Sequence, residues 1–195
     1  INGTDNDMTQ EQITLTSSDT GPWAKGFRNA IKLTNGNQTG GFAAGDYFFI
    51  EQGIEGQNIA QSGWDYTSAS SYITLSFWIK SSVAQNFYGY LKSNDGTAQR
   101  YAFETGSLSA NTWTKITKTI PGNSNVQIDN DNGGGLYLEL MYYAGTNLTD
   151  PGVSLNTWGA FASGTRTPDN TSTWWTTNDA TLAWTGVQLE VGDVA

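Results

Sequence analysis

Hydrophobic and polar residues alternate with period two along most of the chain. Residues Tyr72 to Lys80 read YITLSFWIK, with Ile73, Leu75, Phe77 and Ile79 on one side and Thr74, Ser76, Trp78 and Lys80 on the other. WTKITKTI from Trp113, LYLELMYY from Leu136 and LAWTGVQLEV from Leu182 have the same character. Such segments are strands that bury one face and leave the other for water, a ligand or a covering loop. Further strands are expected at Gln12 to Thr16, Phe27 to Leu33, Asp46 to Ile54, Asn86 to Leu91 and Gln99 to Glu104. Asn94, Asp95 and Gly96 signal a hairpin between the last two. Glu55 to Ser62 is the best helix candidate, at about two turns. The expected fold is all-β: an antiparallel two-sheet β-sandwich of jelly-roll type, with about nine or ten strands and one short helix.

Residues 1–195 fit one domain, since sandwiches of about 200 residues are common. Residues 1–11 are expected to form an irregular N-terminal segment. Between Ala144 and Asp179 runs a long connection carrying Trp158, Phe161, Trp174 and Trp175, and a short strand or helix is expected to interrupt it. Ile1 opens the sequence where Met would be usual, so a fragment or processed product is expected.

Twenty-three Gly and four Pro give a turn-rich composition, and only 14% of residues are charged. The formal net charge of −9, with no segment concentrating Lys or Arg, argues against nucleic-acid partners and anionic membranes. No run of about 18 apolar residues is present. Without Cys or His there is no thiol nucleophile, no zinc–thiolate site and no imidazole base.

TLSFWIKSS, then ANTWTKITKTIPG, then the terminal WTGVQLEVGDVA resemble the carbohydrate-binding-module-like jelly-roll domain of bacteriophage tail fibres and other virion-associated proteins. IEGQNIAQSGW and DNDNGGGLYLEL fit the same pattern, so the resemblance spans roughly Phe48 to Ala195. It implies a domain on the virion surface, often a trimer, whose partners are host-surface glycans or virion neighbours. More distantly, the chain is similar to sugar-binding modules attached to glycoside hydrolases. Those modules often carry a calcium whose acidic ligand lies in the last strand, where this chain has Gln188, so no metal or other cofactor is expected.

Strand alternation places Trp78, Tyr88, Tyr90, Tyr137, Tyr143 and Trp184 opposite the aliphatic positions, with Lys80, Arg100, Glu139, Gln188 and Glu190 beside them. Flat rings stack on the C–H faces of sugars while amides and charges bond the hydroxyls, so these residues are glycan-binding candidates. The competing expectation is that the rings pack under loops or against another subunit. Of adjacent Trp174 and Trp175, one is expected to anchor the loop and Trp175 to remain available. Asp129 to Asn132 and the Asp5 and Asp7 pair invite a calcium reading, but the Asp129 run lacks the closing Glu of an EF-hand loop. Glu104, Glu139 and Glu190 show no spacing that singles out a catalytic pair. No enzymatic activity is expected; a structural subunit or a surface-polysaccharide hydrolase is the alternative. Sequons at Asn2, Asn37, Asn147 and Asn170 are expected by chance in an Asn- and Thr-rich chain.

Overall fold

Phe77, at the middle of YITLSFWIK, is 1% exposed, and its neighbours Leu75 and Ile79 are wholly buried. The alternation therefore points that side of the strand into the core. The computed structural model describes residues 8–36, 42–170 and 173–194; Asp5, Asp7 and the sequon asparagines Asn2 and Asn37 lie outside this set.

Among the described residues ten strands run in the order β1 (Thr9–Thr14), β2 (Asn29–Thr34), β3 (Tyr47–Glu55), β4 (Tyr72–Ser81), β5 (Tyr88–Ser93), β6 (Gln99–Glu104), β7 (Thr114–Pro121), β8 (Gly134–Ala144), β9 (Trp158–Ala160) and β10 (Thr181–Val191). The helix α1 (Gly56–Ala60) follows β3, and a short 3-10 turn covers Trp23–Lys25. Two five-stranded sheets result, ordered β1-β2-β10-β4-β7 and β3-β8-β5-β6-β9. Every strand pair is antiparallel. The expected antiparallel two-sheet sandwich, its ten strands and its single short α-helix are all present.

Most expected boundaries move by one or two residues, and the first strand moves furthest. β1 begins at Thr9, inside the segment expected to be irregular, and ends at Thr14. Its sequence TQEQIT has no apolar alternation; it becomes a strand because Thr9 to Thr14 pair in register with Thr34 to Asn29 of β2. Tertiary pairing overrides a weak local preference here.

Leu33, Phe77, Leu91, Phe103, Ile116, Leu138, Leu140 and Leu182 meet in one core between the sheets. Burying each such side chain contributes about 1.5–3 kcal/mol. Both outer faces also carry cover. The segment after β1 lies on the first sheet: a Cβ at Gly21 would meet the Trp78 ring at 2.5 Å, and one at Gly186 would meet the Phe27 ring at 2.5 Å. The connection after β8 lies on the second sheet, where Tyr90, Ala102, Met141, Ala144 and Val153 form a separate core with Phe49, Leu148, Leu155 and Phe161. At the sheets' far edges, the Trp158 indole N–H of β9 donates to the Pro121 carbonyl of β7 (2.7 Å).

Candidate functional site

The aromatic face expected from alternation exists, but the chain covers most of it. On the outer face of the second sheet, Tyr90 of β5 stands opposite Glu139 of β8 and Ala102 of β6. Tyr90 is 0% exposed and Glu139 1% exposed. Arg166 of the covering connection donates to the Tyr90 hydroxyl (3.2 Å) and sits 3.4 Å from Glu139 Oε2. Arg100 donates to the Thr165 carbonyl, pinning the same connection. Burial pushes the Tyr90 phenol up, helped by the Glu139 charge, and burial lowers the Arg100 guanidinium. Tyr88 is half-buried on this face, its phenol raised first by burial and then by Glu104. Tyr90, Glu139 and Arg100 thus hold a loop down and offer no open platform.

Two β-bulges correct the expected facing of other residues. The β3–β8 register shifts between Phe48 and Phe49, which leaves Tyr142 as the extra residue. Alternation slips by one there, so Tyr143 joins the main core and packs on Phe42 and Trp175, with ring centroids 4.3 and 5.0 Å away. In β10 the register shifts between Thr185 and Gln188. Upstream of this bulge Leu182 and Trp184 face inward, opposite Leu33 and Ile31; downstream Leu189 does, opposite Leu75. Trp184 therefore stands on the inner side, edge-on to Phe77 (6.3 Å), where alternation had put it outside.

The remaining candidates are dispersed. Trp78 is half-buried on the outer face of the first sheet beneath Gly21. Gln188 is exposed on that face, its amide 3.4 Å from Glu190 Oε1. Trp175 is not available: it is 1% exposed and Trp174 is 0% exposed. Asn35 donates to the backbone carbonyls of both, at 2.6 Å for Trp174 and 3.3 Å for Trp175. Gln85 Oε1 accepts from the Trp174 N–H (2.8 Å). The pair closes one end of the core instead of splitting its two rings between anchor and ligand.

Nearby on the first sheet, the Trp113 indole N–H donates to Asp19 Oδ1 (2.9 Å), as does the Lys80 ammonium (2.9 Å). With the Thr16 N–H these hold the Asp19 carboxyl well below the usual carboxylate range. In the Asp129 run, Asp131 accepts the Gly133 N–H and its carbonyl accepts the Gln57 N–H at the start of α1, so the run is a turn that supports the helix. Among the described residues no cluster of three or more carboxylates is placed to hold a metal.

An open cleft does exist, and Trp184 lies at its centre. Where the β10–β2 ladder ends, at Trp184 and Ile31, a hollow of about 460 Å³ opens, lined by Gln10, Gln12, Asn29, Ile31, Trp184 and Thr185 among others. A second hollow of about 340 Å³ lies between the sheets, walled by Ile31, Ile50, Leu138, Trp184 and Val187 with Gln52 at its rim. Ile31 and Trp184 border both. In register, Gln12 stands opposite Ile31 and Gln10 opposite Leu33, so both glutamines share the inner face with these core residues. Gln52 stands opposite the core residue Leu138 on the facing sheet. The indole N–H of Trp184 is buried and has no acceptor among the described residues. A carboxamide both donates and accepts, so Gln10, Gln12 and Asn29 can each engage a hydroxyl. Of these residues sequence reasoning found Trp184 alone, because the carboxamides sit on polar stretches and converge only through strand register.

No family model matches the chain, and no curated protein does. Among solved structures it is similar to one described as "CBM4 structure and function", with 13% identity, TM-score 0.41, 84% of this chain and 71% of that chain covered. It is similar to an exo-beta-agarase with 10% identity and TM-score 0.42; the match covers 95% of this chain but only 22% of the agarase. A candidate sugar-binding protein from Bacteroides thetaiotaomicron aligns at 13% identity and TM-score 0.36, over 97% of this chain and 86% of that one. These are loose likenesses between β-rich chains, and the sandwich assignment rests on the sheet topology described above.

Proposed function

We propose that this is a non-enzymatic glycan-binding domain and that its ligand occupies the cleft around Trp184. The observation that carries the reading is an open hollow edged by three carboxamides, Gln10, Gln12 and Asn29, that shares Ile31 and Trp184 with an aliphatic hollow between the sheets. Sugar sites combine apolar contact with a few placed hydrogen-bonding groups, and this cleft has both. Glu51 and Glu139 speak against a hydrolase at their position. They stand directly opposite one another in the β3–β8 ladder with Glu139 buried beneath the covering connection, whereas glycosidase carboxyls stand roughly 5–9 Å apart with the sugar between them.

The sequence motifs that resemble tail-fibre domains support a place on a virion surface, with host-surface glycan as the partner. Three copies on one fibre would convert weak single sites into firm attachment through effective concentration. A purely structural role in a homo-oligomer is the second reading, favoured by the burial of Tyr90, Tyr143 and Trp175, which leaves few rings free for sugar.

A glycan-array screen of the 195-residue chain, with its solution mass, tests both. Gln10 and Gln12 are exposed, so their replacement by Ala leaves the fold intact. Selective binding that Gln10→Ala and Gln12→Ala abolish, while Tyr88→Ala retains it, is the expected result. A folded oligomer that binds no glycan overturns the proposal in favour of the structural role.

A further inference from the structure

The two hollows that meet at Trp184 differ in chemistry. The outer one is edged by Gln10, Gln12 and Asn29 and suits hydroxyl groups. The inner one is walled by Ile31, Ile50, Leu138 and Val187, and its one amide, Gln52, already donates to the Gly53 carbonyl (2.7 Å). A sugar hydroxyl placed against those aliphatic walls loses its water and gains no partner, whereas a methyl group there loses nothing.

Charge narrows the occupant further. Among the described residues that line the two hollows none is basic. The nearest lysine on this edge, Lys32, pairs with Glu11 (2.5 Å). Nearby Arg28 stacks on the Trp23 ring and donates to the Trp23 and Phe27 carbonyls. An anionic sugar would meet no free cation and a protein of net charge −9.

Building on the glycan-binding reading, we infer that the cleft selects an uncharged sugar carrying a small apolar substituent, the methyl of a 6-deoxyhexose or of an acetyl group. The hydroxyls lie on the carboxamides and the methyl enters the aliphatic hollow. Trp184, shared by both hollows, aligns the two parts.

The test is an NMR titration of the chain with matched methyl glycosides: hexose against 6-deoxyhexose in the gluco, galacto and manno series, with N-acetylglucosamine and glucuronate as further arms. A pocket that accepts one methyl group discriminates about tenfold or more. The deoxy or acetylated member of at least one series is therefore expected to bind about tenfold tighter than its parent, with glucuronate not binding. Val187 is 44% exposed, so Val187→Asp is tolerated by the fold, as its thermal unfolding would verify. It places a charge at the hollow's lip and is expected to erase the difference within each pair. Equal binding of parent and deoxy sugars, or tighter binding of glucuronate, overturns this inference and leaves glycan binding standing. Silence of every sugar here and on the array overturns the glycan-binding reading itself.

Discussion

Glu51 and Glu139 face one another across the β3–β8 ladder, and the second of them is buried. Two carboxylates so placed cannot both ionise cheaply. Burial raises the Glu139 carboxyl above its ordinary range and the Glu51 charge raises it further, while the Tyr90 hydroxyl and Arg166 work the other way. A carboxyl whose pKa is higher in the folded chain favours folding where it is protonated. Its contribution is fully present below the unfolded value and is lost as pH rises through the raised folded value. Glu51→Gln removes the repulsion and is expected to stabilise the protein at neutral pH by about 1 kcal/mol. In thermal unfolding that corresponds to about 2–4 °C. The gain is expected to disappear as pH falls below the ordinary carboxylate range. A melting-temperature difference that stays constant from pH 8 to pH 4 would mean that Glu51 does not act on Glu139 through its charge.

Asp19 is the opposite case. Its carboxyl is held low by the Trp113 indole N–H, the Thr16 N–H and Lys80, so its contribution is present above the ordinary value near 3.8 and is lost as pH falls toward the depressed folded value. Asp19→Asn is expected to cost about 2 kcal/mol at pH 7, the scale of a hydrogen bond to a charged group. Denaturant titrations at pH 7 and pH 3 check it: the deficit should shrink at the lower pH. The turn that holds Gly21 over Trp78 should loosen in the variant, quenching or shifting tryptophan emission.

The same contrast between exposed and covered groups explains what could be read from the sequence. Strand cores such as Ile73 to Ile79 were legible because period-two alternation is a local property. β1 was placed late because TQEQIT carries no such pattern, and only its register with β2 makes it a strand. The rings of Tyr90 and Trp78 were correctly put opposite the core, yet nothing local could say that Arg166, 76 positions from Tyr90, or a turn before β2, would cover them. Trp184 and Tyr143 were misfaced by single-residue bulges, which invert every position beyond them. The carboxamides of the cleft left no signal at all, since a glutamine on a polar strand looks like any solvated residue until its neighbours in space are known.

Trp174 and Trp175 should behave as packing residues. Each is fully enclosed, Trp174 against Tyr142 (5.7 Å between ring centroids) and Trp175 against Tyr143 (5.0 Å). Trp175→Ala is expected to lose about 3–5 kcal/mol, the usual cost of emptying a large aromatic site. The loss should be the same with or without sugar in the buffer. A stable Trp175→Ala protein that binds glycan less tightly would instead return this residue to the ligand site.

Gly186 links the fold to the cleft. It adopts φ +64°, a left-handed conformation that disfavours side chains, and a Cβ there would meet the Phe27 ring at 2.5 Å. It sits in the bulge that turns Trp184 inward and puts Val187 at the lip of the aliphatic hollow. Gly186→Ala is therefore expected to cost about 1–2 kcal/mol in backbone strain, with a further cost for displacing Phe27. If the bulge also shapes the ligand site, the variant should bind sugar more weakly even at temperatures where it is fully folded, as circular dichroism and NMR titration on one sample would show. Unchanged affinity in a destabilised but folded Gly186→Ala protein would mean that the bulge serves the packing of Phe27 alone, and that the cleft does not depend on where β10 parts from β2.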